Sequence, residues 1–235
     1  KLGPAVGGTR FWKYESDEAA IQDLLRLARG MTYKNALAGI PFGGGKSIVL
    51  RPEGSFDREK IFRAHGRFVE TFGGRYITAE DVGTNPDDIA IVRQETKHAA
   101  GLYGLSGDPS PFTARGVFRA MQAAAKHRWG SESLASKTVA LQGGGNVGYH
   151  LAKLLHGDDV RLIVSDVDPI KVDRLVNEFA ARAVAPEEIY SVESDVYSPC
   201  ALGGTINDET LAQIKAEIIT GGANNQLLEE RHGDE

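Results

Sequence analysis

Apolar residues recur at helical spacing in some stretches of the chain and bunch into short strand-like runs in others, and the two kinds alternate. Ile21, Leu24, Leu25 and Ala28 make a stripe over residues 17–29, with Ser16 placed to cap that helix and Gly30 to end it. A glycine-rich turn, Phe42-Gly43-Gly44-Gly45-Lys46, leads into the β-type run at 47–50. Residues 57–72 read as a second amphipathic helix with Ile61, Phe62, Phe68 and Val69 inward. Residues 75–79 look like a strand that delivers Glu80 and Asp81 at its C-terminal end, and Asn85-Pro86 opens a helix reaching Val92. The Gly-, Ser- and Pro-rich stretch 104–111 is the linker candidate, and the helix at 113–127 bridges into the second half. There, strands at 138–142, 160–165, 194–197 and 217–220 alternate with helices at 147–156, 169–181 and 207–215. Such alternation predicts an α/β fold with a parallel sheet covered by helices and right-handed crossovers. The expected domains are 1–112 and 113–235.

Composition narrows the classes. Among 235 residues, 41% are hydrophobic and 25% charged, as in a soluble globular protein. The net charge of −5 argues against a general nucleic-acid binder, which needs clustered Lys and Arg. No apolar run approaches the ~20 residues of a membrane helix, and no secretory signal is evident. One cysteine, Cys200, excludes an internal disulfide framework and fits a reducing, cytoplasmic setting. The six histidines show no paired ligand spacing, so no metal is expected. The chain begins at Lys1 and stops in a charged run, and it reads as an excerpt of a longer protein.

The sharpest local motif is Gly143-Gly144-Gly145-Asn146-Val147-Gly148, a G-x-G-x-x-G directly after a strand and opening a helix. The first glycine permits a tight turn, Gly145 lets the backbone approach a pyrophosphate, and Gly148 lets helix and strand pack closely. The helix N-terminus then offers free N–H groups to phosphates. Alone the motif is weak, and a flexible turn explains it as well. The next strand, however, ends in Asp166, 18 residues beyond Gly148, where an acid can accept from adenosine ribose hydroxyls. A carboxylate there repels a 2′-phosphate, which favours NAD over NADP. The competing reading is that Asp166 merely caps the following helix.

Polar chemistry beside a dinucleotide site calls for a cation for a substrate anion, a group that stabilises an oxyanion and tunes water, and an acid/base. Lys34, in the mostly apolar neighbourhood of Met31-Thr32-Tyr33, Lys46 after the triple glycine, and Asp81 supply those types. A lysine held in a low-dielectric site near another cation titrates lower. Taken singly, each has an ordinary explanation: most lysines are solvated, and an Asp after a strand is usually a turn former. Gly-Gly-Gly-Lys46-Ser47 also invites a phosphate-loop reading, but Ile40 stands where that motif requires glycine.

Together these segments resemble the Glu/Leu/Phe/Val dehydrogenase family. The resemblance is carried by Gly3 to Arg10, Gly30 to Asn35, Gly43 to Lys46, Thr78 to Thr84, Gly143 to Gly148, Pro199 to Gly204 and Gly221 to Gln226, in the expected order. It implies a substrate domain and a Rossmann-like NAD domain, both incomplete here, with the site in a cleft between them. It further implies that Lys34 holds the substrate carboxylate, Lys46 is the catalytic lysine and Asp81 its proton-transfer partner. By the same resemblance Val6, Gly7, Met31 and Asn225 border the substrate. Thr113, Asn146, Val147, Cys200, Ala201 and Asn224 join the glycines and Asp166 around the cofactor, Cys200 by packing rather than as a nucleophile. The glutamate-specific branch carries a lysine where this chain has Val6, so an apolar L-amino acid is expected, its 2-oxo acid and ammonia being the products. The motifs look most like the leucine-specific branch, with phenylalanine and valine specificity left open, since one methylene discriminates by only ~1–3 kcal/mol. A homo-oligomer is expected. A non-catalytic NAD-binding regulator on the same fold remains the rival reading.

Overall fold

The computed structural model describes residues 3–101 and 108–234. The chain divides into two compact units, the first ending at Asp108 and the second beginning at Pro109. Residues 104–107 of the linker candidate lie outside the described residues.

In the first unit β1 (Ala5–Val6) runs through Gly7-Gly8 into β2 (Thr9–Trp12), and α1 (Asp17–Leu37) follows. Then β3 (Gly43–Gly44) runs through Gly45-Lys46 into β4 (Ser47–Leu50). After α2 (Arg58–Glu70) come β5 (Tyr76–Ile77) and α3 (Pro86–Arg93). β1 lies between β3 and β5, all parallel, and β2 pairs with β4 in parallel. Hydrogen bonds carry the pairing across the glycines: Gly45 N donates to Val6 O (3.0 Å), Ser47 N to Gly8 O (3.3 Å) and Thr9 N to Ala79 O (2.7 Å).

Three of these strands depart from the sequence expectation, which placed none at 5–12 and a turn at 42–46. Strands of two to four residues interrupted by glycine carry no readable alternation. The glycines mark a close crossing of backbones: a Cβ on Gly7 would sit 1.7 Å from Gly45 O. A second departure is α1, which continues through Gly30 to Leu37 instead of ending there. Mid-helix glycine costs only about 1 kcal/mol, and contacts further along repay it. Gly44 packs so tightly on the helix that a Cβ would lie 2.1 Å from Thr32 N, and Asn35 Nδ2 donates to Gly43 O at 2.8 Å. Lys34 therefore stands on a helix. Ser16, Asp57 and Asn85 cap α1, α2 and α3 as anticipated. Phe11, Phe62, Ile89, Val92 and Ala99 form the core, each large side chain contributing about 1.5–3 kcal/mol.

The second unit comprises α4 (Ser110–Trp129), β6 (Thr138–Gln142), α5 (Asn146–Gly157), β7 (Arg161–Ser165) and α6 (Pro169–Phe179). It continues with β8 (Arg182–Ala183), β9 (Val196–Pro199), α7 (Asp208–Leu211) and β10 (Ile218–Ile219). The boundary drawn at 112/113 falls within the first turn of α4. All five strands are parallel in the order β10-β9-β6-β7-β8. Counted from β6, this is the Rossmann order, which reverses direction between β6 and β9. Val139 and Leu141 face one helical layer with Met121, Leu151 and Leu155, while Ala140, Ile163 and Tyr197 face the other with Ile189 and Ile206. Two expectations change here. The helix at 207–215 is a single turn capped by Asn207, and α6 ends at Phe179 because Ala180 turns left-handed (φ 53°) into β8. The register pairs Gln142 with Ser165 and with Pro199, so Gly143, Asp166 and Cys200 leave the sheet along one edge.

Candidate active site

In the first unit, the loop ends of two strand pairs converge on one carboxylate. Lys46, between β3 and β4, places Nζ 2.8 Å from Oδ1 of Asp81, which follows β5. The other oxygen, Oδ2, accepts from Arg10 Nε of β2 at 2.9 Å. All three side chains are buried, with 3%, 11% and 9% exposure for Lys46, Asp81 and Arg10. Gly8 makes room for them, since a Cβ there would lie 2.9 Å from Asp81 Cβ. The Asp81 turn is tied off by Thr84, whose Oγ1 accepts from Asp81 N (2.8 Å) and donates to Thr9 O (3.0 Å).

Burial pulls the Lys46 ammonium below the ordinary lysine value; Asp81 opposes the shift, and Arg10 and Lys34 add to it. Burial would push the Asp81 carboxyl up, but Lys46 and Arg10 outweigh it and hold the group below the usual carboxylate range. The outcome is an anion held by two cations beside a lysine that binds its proton less tightly than an ordinary one. Lys34, on α1, is also lowered, by burial of its ammonium end, with Asp81 pulling the other way. Lys34, Lys46 and Asp81 thus belong to one electrostatic cluster. Val6 and Gly7 lie next to it on the β1 side, paired with Gly44 and abutting Gly45, and half-buried Met31 is on α1.

Arg10 escaped the sequence reading, although an arginine inside the run Thr9-Arg10-Phe11 was a visible signal. Its anchor escaped too: Arg10 NH1 bonds Asp23 Oδ2 at 2.8 Å, and Tyr14 OH donates to the same oxygen. So did a buried cluster behind the sheet, where Thr9 Oγ1 meets Ser47 Oγ (2.8 Å), His65 Nε2 (2.8 Å) and Thr78 Oγ1 (2.5 Å). Burial lowers His65 to about 4, so the ring is neutral at physiological pH.

In the second unit Gly143 takes a left-handed turn (φ 102°) that brings the chain against Cys200 and Ala201. A Cβ on Gly148 would lie 1.9 Å from Gly143 O, so α5 can approach β6 only with glycine here. Gly145, by contrast, faces open space, and α5 begins there with no side-chain cap. Open room at uncapped N–H groups of Asn146 and Val147 fits a pyrophosphate. Asp166 accepts from Gly144 N (2.7 Å) and from Asp168 N (2.9 Å), which pins the glycine loop and leaves lone pairs on both oxygens. Cys200 Sγ accepts from Gly222 N at 3.4 Å, and burial raises its thiol, so it is a packing group under the loop. Exposed Ala201 is adjacent. Asn225 has a left-handed backbone (φ 50°) and a buried Nδ2 with no partner, while Asn224 O packs against Gly203. Thr113, in the first turn of α4, donates to Pro109 O at 3.1 Å.

Strand order, glycine loop and acid together define a dinucleotide-binding unit of Rossmann type, joined in sequence to a unit bearing a buried lysine–aspartate pair. Two family descriptions match: "Glu/Leu/Phe/Val dehydrogenase, dimerisation domain" over residues 1–98, and "Glutamate/Leucine/Phenylalanine/Valine dehydrogenase" over 104–170. The chain belongs to the Glu/Leu/Phe/Val dehydrogenase family, whose members are NAD(P)-dependent. It is 56% identical to a leucine dehydrogenase of Bacillus cereus over 99% of its own length and 64% of that enzyme's. A leucine dehydrogenase of Bacillus subtilis is 55% identical, with 100% of this chain and 65% of that one covered. The crystal structure of L-tryptophan dehydrogenase from Nostoc punctiforme superposes with a TM-score of 0.74 at 46% identity, covering 99% of this chain and 67% of that one. The chain thus spans just under two thirds of the curated relatives' length.

Proposed function

We propose that the protein containing this chain is an NAD-dependent L-amino-acid dehydrogenase that deaminates leucine or another branched-chain amino acid reversibly to its 2-oxo acid and ammonia. The observation that carries this reading is the buried contact of Lys46 with Asp81, 2.8 Å long, with Lys34 in the same electrostatic cluster. Lys34 binds the substrate carboxylate, the nearest cation to solvent in that cluster. Lys46 in its neutral form takes a proton from the attacking water and then, as ammonium, stabilises the developing oxyanion. Asp81 rests as the carboxylate, orients Lys46 and is protonated in passing as it relays a proton to and from the substrate nitrogen.

The chemistry supplied by a bound nicotinamide is acceptance of the hydride from Cα. Gly143 to Gly148 would hold its pyrophosphate, and Asp166 would receive the ribose hydroxyls, its charge disfavouring a 2′-phosphate. Val6 supplies no cation for a second carboxylate, whose desolvation then costs about several kcal/mol and disfavours glutamate. The leucine dehydrogenases among the relatives support the branched-chain choice. Half-buried Met31 and Val6 suit an apolar side chain. The family description of residues 1–98 as a dimerisation domain supports an oligomer of identical chains.

NADH formation by the full-length protein with leucine, valine, phenylalanine, tryptophan and glutamate at alkaline pH tests the proposal. Turnover of branched-chain substrates with NAD is expected. No turnover of any apolar amino acid refutes it.

A further inference from the structure

The bond from Arg10 to Asp81 is the second member of a longer chain of alternating charge, and nothing in the reaction just described uses it. Arg10 lies on β2 opposite the Asp81 turn, because its neighbours Thr9 and Phe11 donate their N–H groups to Ala79 O and Val82 O, on either side of Asp81. Its guanidinium bridges two carboxylates, Nε on Asp81 Oδ2 at 2.9 Å and NH1 on Asp23 Oδ2 at 2.8 Å. Asp23 belongs to the second turn of α1 and is also held by Tyr14 OH. Tyr14, Asp23, Arg10, Asp81 and Lys46 thus run without a break from the surface of α1 to the catalytic pair.

We propose that Arg10, anchored by Asp23, is the positioning residue of this site, holding Oδ2 of Asp81 so that Oδ1 faces Lys46. The inference rests on the dehydrogenase reading for its catalytic consequence, but its geometric part stands without it. A carboxylate with only one fixed oxygen can rotate about its Cβ–Cγ bond; with both oxygens committed to cations from different segments it cannot. Guanidinium suits the task because its planar fork reaches two carboxylates at once, which an ammonium does only with loss of direction. Arg10 also adds a positive charge to the field at Lys46. The charged groups around Lys46 are Asp81 beyond β5, Arg10 on β2 and Lys34 on α1, with Asp23 behind Arg10. Loss of Arg10 therefore has two effects of the same sign on Lys46. A repelling cation goes, and Asp81 is left to attract Lys46 alone.

The test uses the full-length protein as Arg10→Met, Arg10→Lys and Asp23→Asn. Carbon-13-labelled lysine reports the titration of Lys46 at Cε whether or not the protein turns over any substrate, so this readout survives failure of the functional reading. In Arg10→Met the Lys46 titration moves to higher pH, and the rising limb of kcat/KM moves with it. At neutral pH kcat falls about tenfold to a hundredfold, the scale of a small misplacement of a reacting group. Arg10→Lys keeps the charge and restores the pH limb without restoring kcat. Asp23→Asn leaves Arg10 and Asp81 in place, and lowers kcat by a smaller factor with little movement of the limb. A merely structural Arg10 lowers the melting temperature and leaves the Lys46 titration where it was. An unshifted titration in folded Arg10→Met overturns the proposal. If Arg10→Met does not fold, unchanged kcat and pH profile in Asp23→Asn overturn it instead.

Discussion

Asp81→Asn removes one charge and almost no volume from a buried cluster. In the native unit Oδ1 meets Lys46 at 2.8 Å and Oδ2 meets Arg10 at 2.9 Å, all largely out of solvent. Removing one partner from a pair buried this deeply costs about 3–5 kcal/mol, because Lys46 loses its counter-charge and Arg10 keeps only Asp23. Lysine has an escape that arginine lacks: Lys46 can release its proton, whereas Arg10 stays charged. The pH dependence follows from that difference. Lys46 titrates below the ordinary lysine value in the folded protein, so the unfolded chain holds the proton longer and stability rises with pH between the two titrations. Asparagine removes the anion that offsets the repulsion of Arg10 and Lys34 at Lys46, and lowers its folded titration further. The variant is therefore most destabilised on the acid side of Lys46's native titration. Above the ordinary lysine value of about 10.4, where Lys46 is neutral folded and unfolded, the deficit shrinks to about 1.5–3 kcal/mol, the charge-assisted bond to Arg10. Asp81, whose folded titration lies below its unfolded one, contributes above about pH 3.9 and ceases to as pH falls through the folded value. Amide hydrogen exchange of peptides spanning β2 and β4, corrected for intrinsic rates, measures this in the full-length protein at pH 6 and at about pH 11, above the ordinary lysine value. A kcat loss of about 10²–10⁴ accompanies it. Equal protection in variant and wild type at pH 6, or kcat within threefold, refutes the reasoning.

Gly145→Ala and Gly148→Ala separate ligand approach from packing. The first meets open space and leaves the melting temperature nearly unchanged while raising KM for NAD; the second puts a methyl 1.9 Å from Gly143 O and costs about 1–3 kcal/mol or more by thermal denaturation. His65, at about 4 against 6.5 in an unfolded chain, contributes stability that is full above pH 6.5 and is lost as pH falls toward 4, up to about 3 kcal/mol. His65→Gln therefore flattens urea-denaturation stability across that window, and an equally steep fall counts against it. Val6→Lys supplies a cation for a second carboxylate and raises kcat/KM for glutamate relative to leucine about tenfold or more, as read from paired kinetics.

The second unit was legible because β6 and β7 are buried on both faces, so Val139-Ala140-Leu141 and Leu162-Ile163-Val164 stand out as short apolar runs. β8 did not stand out: it is two exposed residues, Arg182 and Ala183, with no burial to shape its composition. Lys46 after a glycine turn and Asp81 at a strand end stood out only as candidates, and the resemblance to the family is what paired them. Arg10 and His65 were hidden for a different reason. Arg10 depends on partners 13 and 71 residues away, and His65 on one 56 away, and no local period records such pairings.

α1 was misread at Gly30, and the correction bears on chemistry, because the helix carries both Asp23 and Lys34. Eleven residues of helix hold these two about 16 Å apart, so Lys34 is aimed by whatever fixes α1. Asp23 fixes it through Arg10, Asn35 through Gly43 O, and between them Gly44 lies against the backbone at Ala28 and Thr32. Gly44→Ala attacks the middle contact. Its methyl would lie 2.1 Å from Thr32 N and 2.4 Å from Ala28 O, both in the helix backbone, so no side-chain rotation relieves the overlap. The helix must back away by about 1 Å to reach ordinary contact. Lys34, half a turn past Thr32, moves with it, while Lys46 and Asp81 remain joined because their strands pair independently of α1. The expected signature is a KM for the amino acid raised about tenfold or more, with KM for NAD unchanged and the Lys46 titration shifted little. A variant with a lowered melting temperature but native KM for the amino acid would show that α1 does not aim Lys34.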